Sequence, residues 1–316
     1  MDAASHDDAP TRVRLDLGYD GGGFHGWARQ RDLRTVQGAL EQALARLFAS
    51  VAEPPTLTVA GRTDVGVHAT GQVAHLDLRA PQLRLLARGG RQAGSAGVES
   101  LPRRLAGVLQ PQDDVRVHRA SLAPGGFDAR FSALWRRYEY RIADAESAKD
   151  PRTRGFTTWH PTPLRLDAMR SAAASLLGLH DFAAYCKPRE GATTIRTLQE
   201  FDWRRDADGV LVATVRADAF CHSMVRALVG ACLAAGEERI AAGEAARLRD
   251  AGVRTSAIPV LPARGLTLVE VGYPPDDELA ARAERTRARR ERPTPAGPAD
   301  PAPPPRFDRP GGDRLI

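Results

Sequence analysis

Lysine is nearly missing. Only Lys149 and Lys187 occur in 316 residues, so almost all of the positive charge is arginine. A guanidinium can fork onto phosphates and stack on bases, which a lysine ammonium does not do. An arginine bias across a whole genome would leave the same trace, and both readings stand. Cysteine is scarce as well: Cys186, Cys221 and Cys232 are an odd number with no CxxC spacing. That pattern argues against a disulfide framework and a zinc ribbon, and predicts reduced, structural cysteines. No apolar run approaches the roughly 20 residues that span a bilayer. The start, Met1-Asp2-Ala3-Ala4-Ser5-His6-Asp7-Asp8, has neither the basic nor the apolar stretch of a secretory signal. A soluble, cytoplasmic protein with no membrane partner is expected.

What is present points to folded domains and a polyanionic partner. Hydrophobic residues make up 42% of the chain, enough for packed cores, and the length suits two domains plus tails. A formal charge of +6 and an isoelectric point near 9.7 suit a nucleic acid, whose phosphates bind cations whatever the base sequence.

Residues 12–19 alternate Val13, Leu15, Leu17 and Tyr19 with Arg14, Asp16 and Gly18, the period of a half-buried strand. Thr35 can cap a helix carrying Val36, Leu40, Ala43, Leu44 and Leu47 at helical spacing. Strands at 57–60 and 72–78, a helix at 101–109 and a strand at 115–120 complete the order βαββαβ. The second half repeats it. Strand 136–142, helix 166–177, strands 195–203 and 210–216 around the turn Asp206-Ala207-Asp208-Gly209, helix 223–235 and strand 266–272 follow in turn. The expected fold class is therefore α+β, with two ferredoxin-like units at residues 11–124 and 125–275. A helix at 239–250 is extra, and 88–97 is expected to be a surface-loop insertion. Residues 1–10 are expected to be flexible, and the Arg- and Pro-rich segment 276–316 to be a disordered tail.

Three clusters could carry chemistry. The first, Gly61-Arg62-Thr63-Asp64-Val65-Gly66-Val67-His68-Ala69, leaves one strand and enters another through closely spaced glycines. It sets Asp64 at a sheet end, with Arg62 two residues away. A tight turn in which Asp64 bonds nearby amides has the same spacing. His68 and His75 could join Asp64 around a metal, though their seven-residue offset is no recognised ligand spacing. The second cluster, Phe127 to Ser132 and Trp135 to Ile142, interleaves aromatics and arginines, offering planes for an unstacked base and cations for its backbone. An ordinary strand with Tyr138, Tyr140 and Ile142 on one core face would look alike. In the third, Phe220-Cys221-His222-Ser223-Met224-Val225-Arg226, Arg226 lies at the edge of a buried stripe of Met224, Leu228 and Cys232 and implies a partner carboxylate. A surface arginine with a packed stem is the alternative. The glycine run 19–27 has neither a Walker lysine nor a dinucleotide fingerprint.

In their order and over roughly residues 12–273, these segments resemble the tRNA pseudouridine synthase A family, whose motifs the Gly61–Ala69 string, Phe127 to Tyr140, Leu177 to Phe182, Met224-Val225-Arg226 and Pro262 to Leu266 are similar to. The resemblance implies a pseudouridine synthase fold with an RNA-binding cleft between its two halves. It implies isomerisation of uridine at positions 38, 39 and 40 of the tRNA anticodon stem-loop by a homodimer needing neither metal nor organic cofactor. It makes Asp64 the catalytic nucleophile and Tyr138, Arg62 and Arg226 substrate-binding residues, Arg226 being also the partner of Asp64. The family commonly has histidine where Asp128 stands and differs around Ser223 and Ala227, and the 88–97 insertion and long tail are extra. A non-catalytic RNA-binding protein of tandem ferredoxin-like units and a metal hydrolase using His68, His75 or His180 with Asp64 and Asp181 are the competing classes.

Overall fold

The computed structural model describes residues 9–88, 95–189, 191, 193–256 and 258–291. Of the start expected to be flexible at 1–10, residues 1–8 lie outside the described residues, as do 89–94 of the 88–97 insertion and the tail from 292 onward. The first half runs β1 (Thr11–Tyr19), α1 (Val36–Phe48), β2 (Thr58–Val59), β3 (His68–Leu78), α2 (Ala80–Ala87), α3 (Ser95–Val98), α4 (Leu101–Leu109) and β4 (Val115–Leu122). The second runs β5 (Trp135–Ala143), β6 (Thr158–Trp159), α5 (Leu166–Ala174), β7 (Gly178–Asp181), β8 (Ile195–Arg205), β9 (Leu211–Ala217), α6 (Met224–Gly236), α7 (Glu244–Asp250), β10 (Leu266–Gly272) and α8 (Leu279–Glu291).

All ten strands belong to one sheet in the order β4-β1-β3-β10-β5-β9-β8-β7, with β2 beside β3 and β6 beside β5. The halves meet where β3 and β10 pair in parallel, His68 with Thr267 and Ala69 with Leu268. Every long strand pair within a half is antiparallel. The expected alternation of β1 buries Val13, Leu15 and Leu17. At α1 the Thr35 hydroxyl accepts the Gly38 amide at 3.2 Å, the cap its sequence predicts. One apolar core runs from Leu15 and Leu40 to Tyr140, Trp203 and Leu228, so the joint between the halves is packed as well as hydrogen-bonded.

Several expectations need correction. Strand β3 begins at His68, not at residue 72, because Gly71 is a strand residue. A Cβ there would stand 2.0 Å from the Val269 carbonyl oxygen of β10, so this glycine serves close strand approach rather than a turn. Residues 276–291 are not a disordered tail: Asp276–Glu278 form a 3₁₀ turn that leads into α8. Leu279 and Ala283 are buried, Ser132 Oγ donates to the Leu279 carbonyl, and Arg287 bonds Asp128 at 2.8 Å. In the insertion, residues 95–98 form the short α3, and of the extra helix at 239–250 only Glu244–Asp250 is helical. Cys186 and Cys221 are not reduced but bonded as a disulfide, 35 residues apart in sequence, while Cys232 is free and buried. No spacing rule reveals that pair, because the fold alone brings their Cα atoms to 5.7 Å.

Candidate active site

Asp64 stands on the loop between β2 and β3, where the sheet ends beside the joint between the halves. Its backbone carbonyl accepts the Val67 amide at 3.2 Å, closing a tight turn, with Gly66 in the left-handed region at φ 77°. Its side chain accepts no hydrogen bond from the loop's own amides among the described residues, so the carboxylate is not occupied in making the turn. The glycine run 20–27 packs under this loop. Trp27 donates its amide to the Thr63 carbonyl at 3.1 Å and Gly66 donates to the Phe24 carbonyl at 3.3 Å. Gly26 has φ 85°, and a Cβ there would lie 2.9 Å from the Thr63 oxygen. A buried relay completes the support: Tyr19 and Thr63 hydroxyls are 2.8 Å apart, and Gln72 donates to both Tyr19 and the Gly61 carbonyl.

The second cluster divides into support and surface. Arg136 reaches the Ala60 carbonyl at 2.6 Å and the Asp218 carbonyl at 2.9 Å, bracing the start of the Asp64 loop against the end of β9. Tyr138, Tyr140 and Ile142 do share a core face. Tyr140 is fully buried and bonds Thr158 and the Pro262 carbonyl. Tyr138 keeps 8% exposure and meets Phe220 edge-on at 5.2 Å. Burial, with Tyr19 and the Asp64 charge adding to it, holds its phenol above the ordinary value of 10. Tyr138 is therefore a neutral, recessed surface next to Asp64 rather than an open platform.

Every residue of α6 from Met224 to Gly236 is buried except Arg226. Its guanidinium bonds Ser223 Oγ at 3.2 Å, and its buried Nε has no partner. The expected Arg226–Asp64 pair is not closed: among the described residues, the side chain within 4 Å of the Asp64 carboxylate that could pair with it is His222, with Nε2 3.7 Å from Oδ1. Ser223 takes a left-handed conformation at φ 64° as α6 begins, between His222, which meets Asp64, and Arg226, which lies one turn into the helix. The Cys186–Cys221 disulfide and the Lys187 amide, which donates to the His222 carbonyl at 2.9 Å, hold that corner. His222 was missed by sequence reasoning, and its only signal is its position just before a buried helix. Arg62 is exposed beside the loop. Ala263, from the turn before β10, packs against Gly66 and sets the exposed Arg264 at the same rim.

His68, His75 and His180, the histidines weighed as metal ligands, have structural contacts instead. His68 Nδ1 accepts the Gly21 amide and His75 Nδ1 accepts the Ala129 amide. Burial, followed by the charge of Arg12, lowers the His75 pKa. His180 contacts the Leu177 carbonyl, and Asp181 accepts from Ala183 and Thr194. Among the described residues no group of three or more His, Cys, Asp or Glu is placed to hold a metal ion, and no helix is long and apolar enough to cross a membrane.

One carboxylate at a sheet end, bonded to none of its loop's amides, met by His222 and set beside a buried tyrosine, matches what carboxylate chemistry on a flipped nucleotide requires. Residues 172–274 match the family model described as tRNA pseudouridine synthase. The chain is 62% identical over 284 residues to the tRNA pseudouridine synthase A of Leifsonia xyli subsp. xyli, covering 90% of this chain and 99% of the relative. It is 56% identical to the Streptomyces griseus protein of that name, over 88% and 93% of the two chains. With the Mycobacterium leprae one it shares 48% identity over 88% and 94%. The chain belongs to the tRNA pseudouridine synthase A family, a family of RNA-modifying isomerases.

Proposed function

We propose that this protein isomerises uridine to pseudouridine at positions 38, 39 and 40 of the tRNA anticodon stem-loop, with Asp64 as its nucleophile. The observation that carries this is the Asp64 carboxylate: held by a braced loop, bonded to none of that loop's amides, and 36% exposed at a sheet end between two halves. Attack of its oxygen on C1′ breaks the N1–C1′ bond, whose electron pair leaves with the uracil and spreads over its carbonyls. The uracil turns, C5 re-forms the bond to C1′ as the carboxylate leaves, C5 loses its proton and N1 gains one. No electron is gained or lost and no group is donated. A variant in which Asp64 takes a proton from C2′ to give a glycal uses the same carboxylate in the same place.

Arg226 and Arg62 are substrate-binding groups in this reading. Arg226 has an unpartnered buried Nε in the free chain, so its guanidinium is available to close on Asp64 or on a phosphate once RNA displaces water. An adjacent cation keeps a desolvated carboxylate ionised. Tyr138 contacts the displaced uracil from its recessed place beside Asp64, offsetting part of the few kcal/mol that base flipping costs. Each half is read as a ferredoxin-like unit, since β4-β1-β3-β2 and β10-β5-β9-β8 repeat one strand order, with residues 11–124 and 125–275 as the units and the RNA cleft between them. A homodimer is the proposed working form. The test is to incubate purified protein with a uridine-labelled tRNA transcript, with and without chelator. Pseudouridine formed in both supports the proposal; no product, or product only without chelator, refutes it.

A further inference from the structure

Strand β4 is an edge: β1 pairs with it on one side, and among the described residues no strand covers the other. Between that edge and α4 runs a groove of about 550 Å³, lined by Arg116, His118 and Arg119 from the strand and by Arg103 and Glu99 from the helix side. Arg103, Arg116 and Arg119 are exposed, and among the described residues none has a hydrogen-bond or ion-pair partner. Their neighbours are different. Arg12 is paired with Asp77, Arg14 with Asp16 and Arg34 with Asp114, while Arg104 donates to the Leu86 and Arg88 carbonyls. Three uncompensated guanidiniums therefore share one groove with a single acid.

Charged residues on an edge strand often serve only to discourage strand pairing. That task needs charges on the strand itself, whereas Arg103 comes from α4 and converges on the groove from across it. The groove also lies at the reactive end of the sheet. Val115 faces Tyr19, which faces Ala69, five residues after Asp64. Arg116 is thus two strands across from the start of β3, roughly 10 Å at ordinary strand spacing. The Asp20 amide and Arg34 both bond Asp114, tying the loop under Asp64 to the first turn of this edge.

We infer that this groove binds the phosphate backbone of tRNA away from the target nucleotide, an inference that rests on the function proposed above. A polyanion is the occupant the charges select: three forked cations in an open groove match successive phosphates, and none reaches the reacting base.

The test is the triple variant Arg103→Gln/Arg116→Gln/Arg119→Gln with full-length tRNA transcript. Loss of three phosphate contacts should flatten the plot of log Kd against log salt by roughly 2–3 and raise Kd at least about tenfold near 100 mM salt. Turnover at saturating tRNA should stay at the wild-type value, because the groove does not touch the reacting nucleotide. The triple Arg→Lys variant should recover most of the affinity, and each single Gln variant should flatten the slope by about one, which keeps the test open if the triple variant is unstable. A folded Gln variant with wild-type affinity and salt slope overturns the inference. So does one that alters the oligomeric state in sedimentation while tRNA binding is unchanged, which would assign the edge to a protein contact. Product formation by the wild-type protein on the same transcript reports separately on the proposed function, so the two can fail independently.

Discussion

Gly26→Ala should damage catalysis far more than stability. Gly26 has φ 85°, and a Cβ there would lie 2.9 Å from the Thr63 oxygen and 3.3 Å from the Asp64 carbonyl carbon, backbone atoms that cannot swing aside. The left-handed conformation costs a non-glycine residue about 1–2 kcal/mol, while alanine's smaller unfolded-state entropy returns about 0.4–1 kcal/mol. Relief of the contact requires the 63–65 backbone to move by a few tenths of an ångström or more. A net loss near 1–2 kcal/mol corresponds to a fall of about 2–3 °C in Tm for a chain of this size. Displacement of a reacting group by up to 1 Å can cost about a hundredfold in rate, so kcat should fall tenfold to a hundredfold in roughly that range. Gly107→Ala is the control, since no atom lies within 4 Å of its added Cβ and it sits inside α4; it should hold or raise Tm and keep full turnover. Single-turnover rates on tRNA beside thermal melts decide the matter. Wild-type kcat in folded Gly26→Ala would refute the view that this glycine holds the Asp64 loop in register.

Arg226→Ala should lower single-turnover rate by at least tenfold with less than threefold change in tRNA affinity, and equal losses of both would make Arg226 an RNA-contact residue only. Because burial holds the Tyr138 phenol above 10, it stays neutral through pH 10 and cannot supply an alkaline limb below that. The pH profiles of kcat/KM for wild type and Tyr138→Phe should therefore run parallel from pH 7 to 10; a limb present only in wild type would contradict the burial argument. Asp144 is fully buried in its side chain; burial alone would raise its pKa, but Arg205, Ser147 and the Leu164 amide outweigh it and hold the carboxyl at about 2 against an ordinary 3.8. A depressed folded pKa contributes stability above the unfolded value and loses it on acidification, so about 2 kcal/mol present at pH 6 should vanish between about pH 4 and pH 2. Urea midpoints of wild type and Asp144→Asn should converge across that window, and a constant gap would be evidence against the ion pair.

What the sequence made legible was local or carried by spacing. Thr35 before Val36, Leu40 and Leu44 foretold α1 because capping and helical periodicity act over a few residues. The Gly61 to Ala69 string located the loop, since a turn that must pass close to other backbone needs its glycines. What stayed hidden depends on contacts between distant positions. His222 reaches Asp64 from 158 positions away, next to a left-handed Ser223, and the Cys186–Cys221 bond exists only once β8 and β9 have folded between them. Helix α8 escaped notice because Leu279 and Ala283 are its buried apolar anchors among the described residues, too few for a periodic pattern, and its other holds include Ser132, Asp128 and the Ala133 carbonyl. Gly71 misled in the opposite direction: a glycine demanded by β10 looks, in sequence, like one demanded by a turn.

The central claim is that one carboxylate performs the chemistry. Asp64→Asn keeps the shape of the side chain and removes its charge and nucleophilicity, and Asp64 makes no loop hydrogen bond whose loss would disturb the fold. Measured on tRNA transcript, this variant should bind with an affinity within about threefold of wild type and form no detectable pseudouridine. Appreciable turnover by Asp64→Asn would contradict the account.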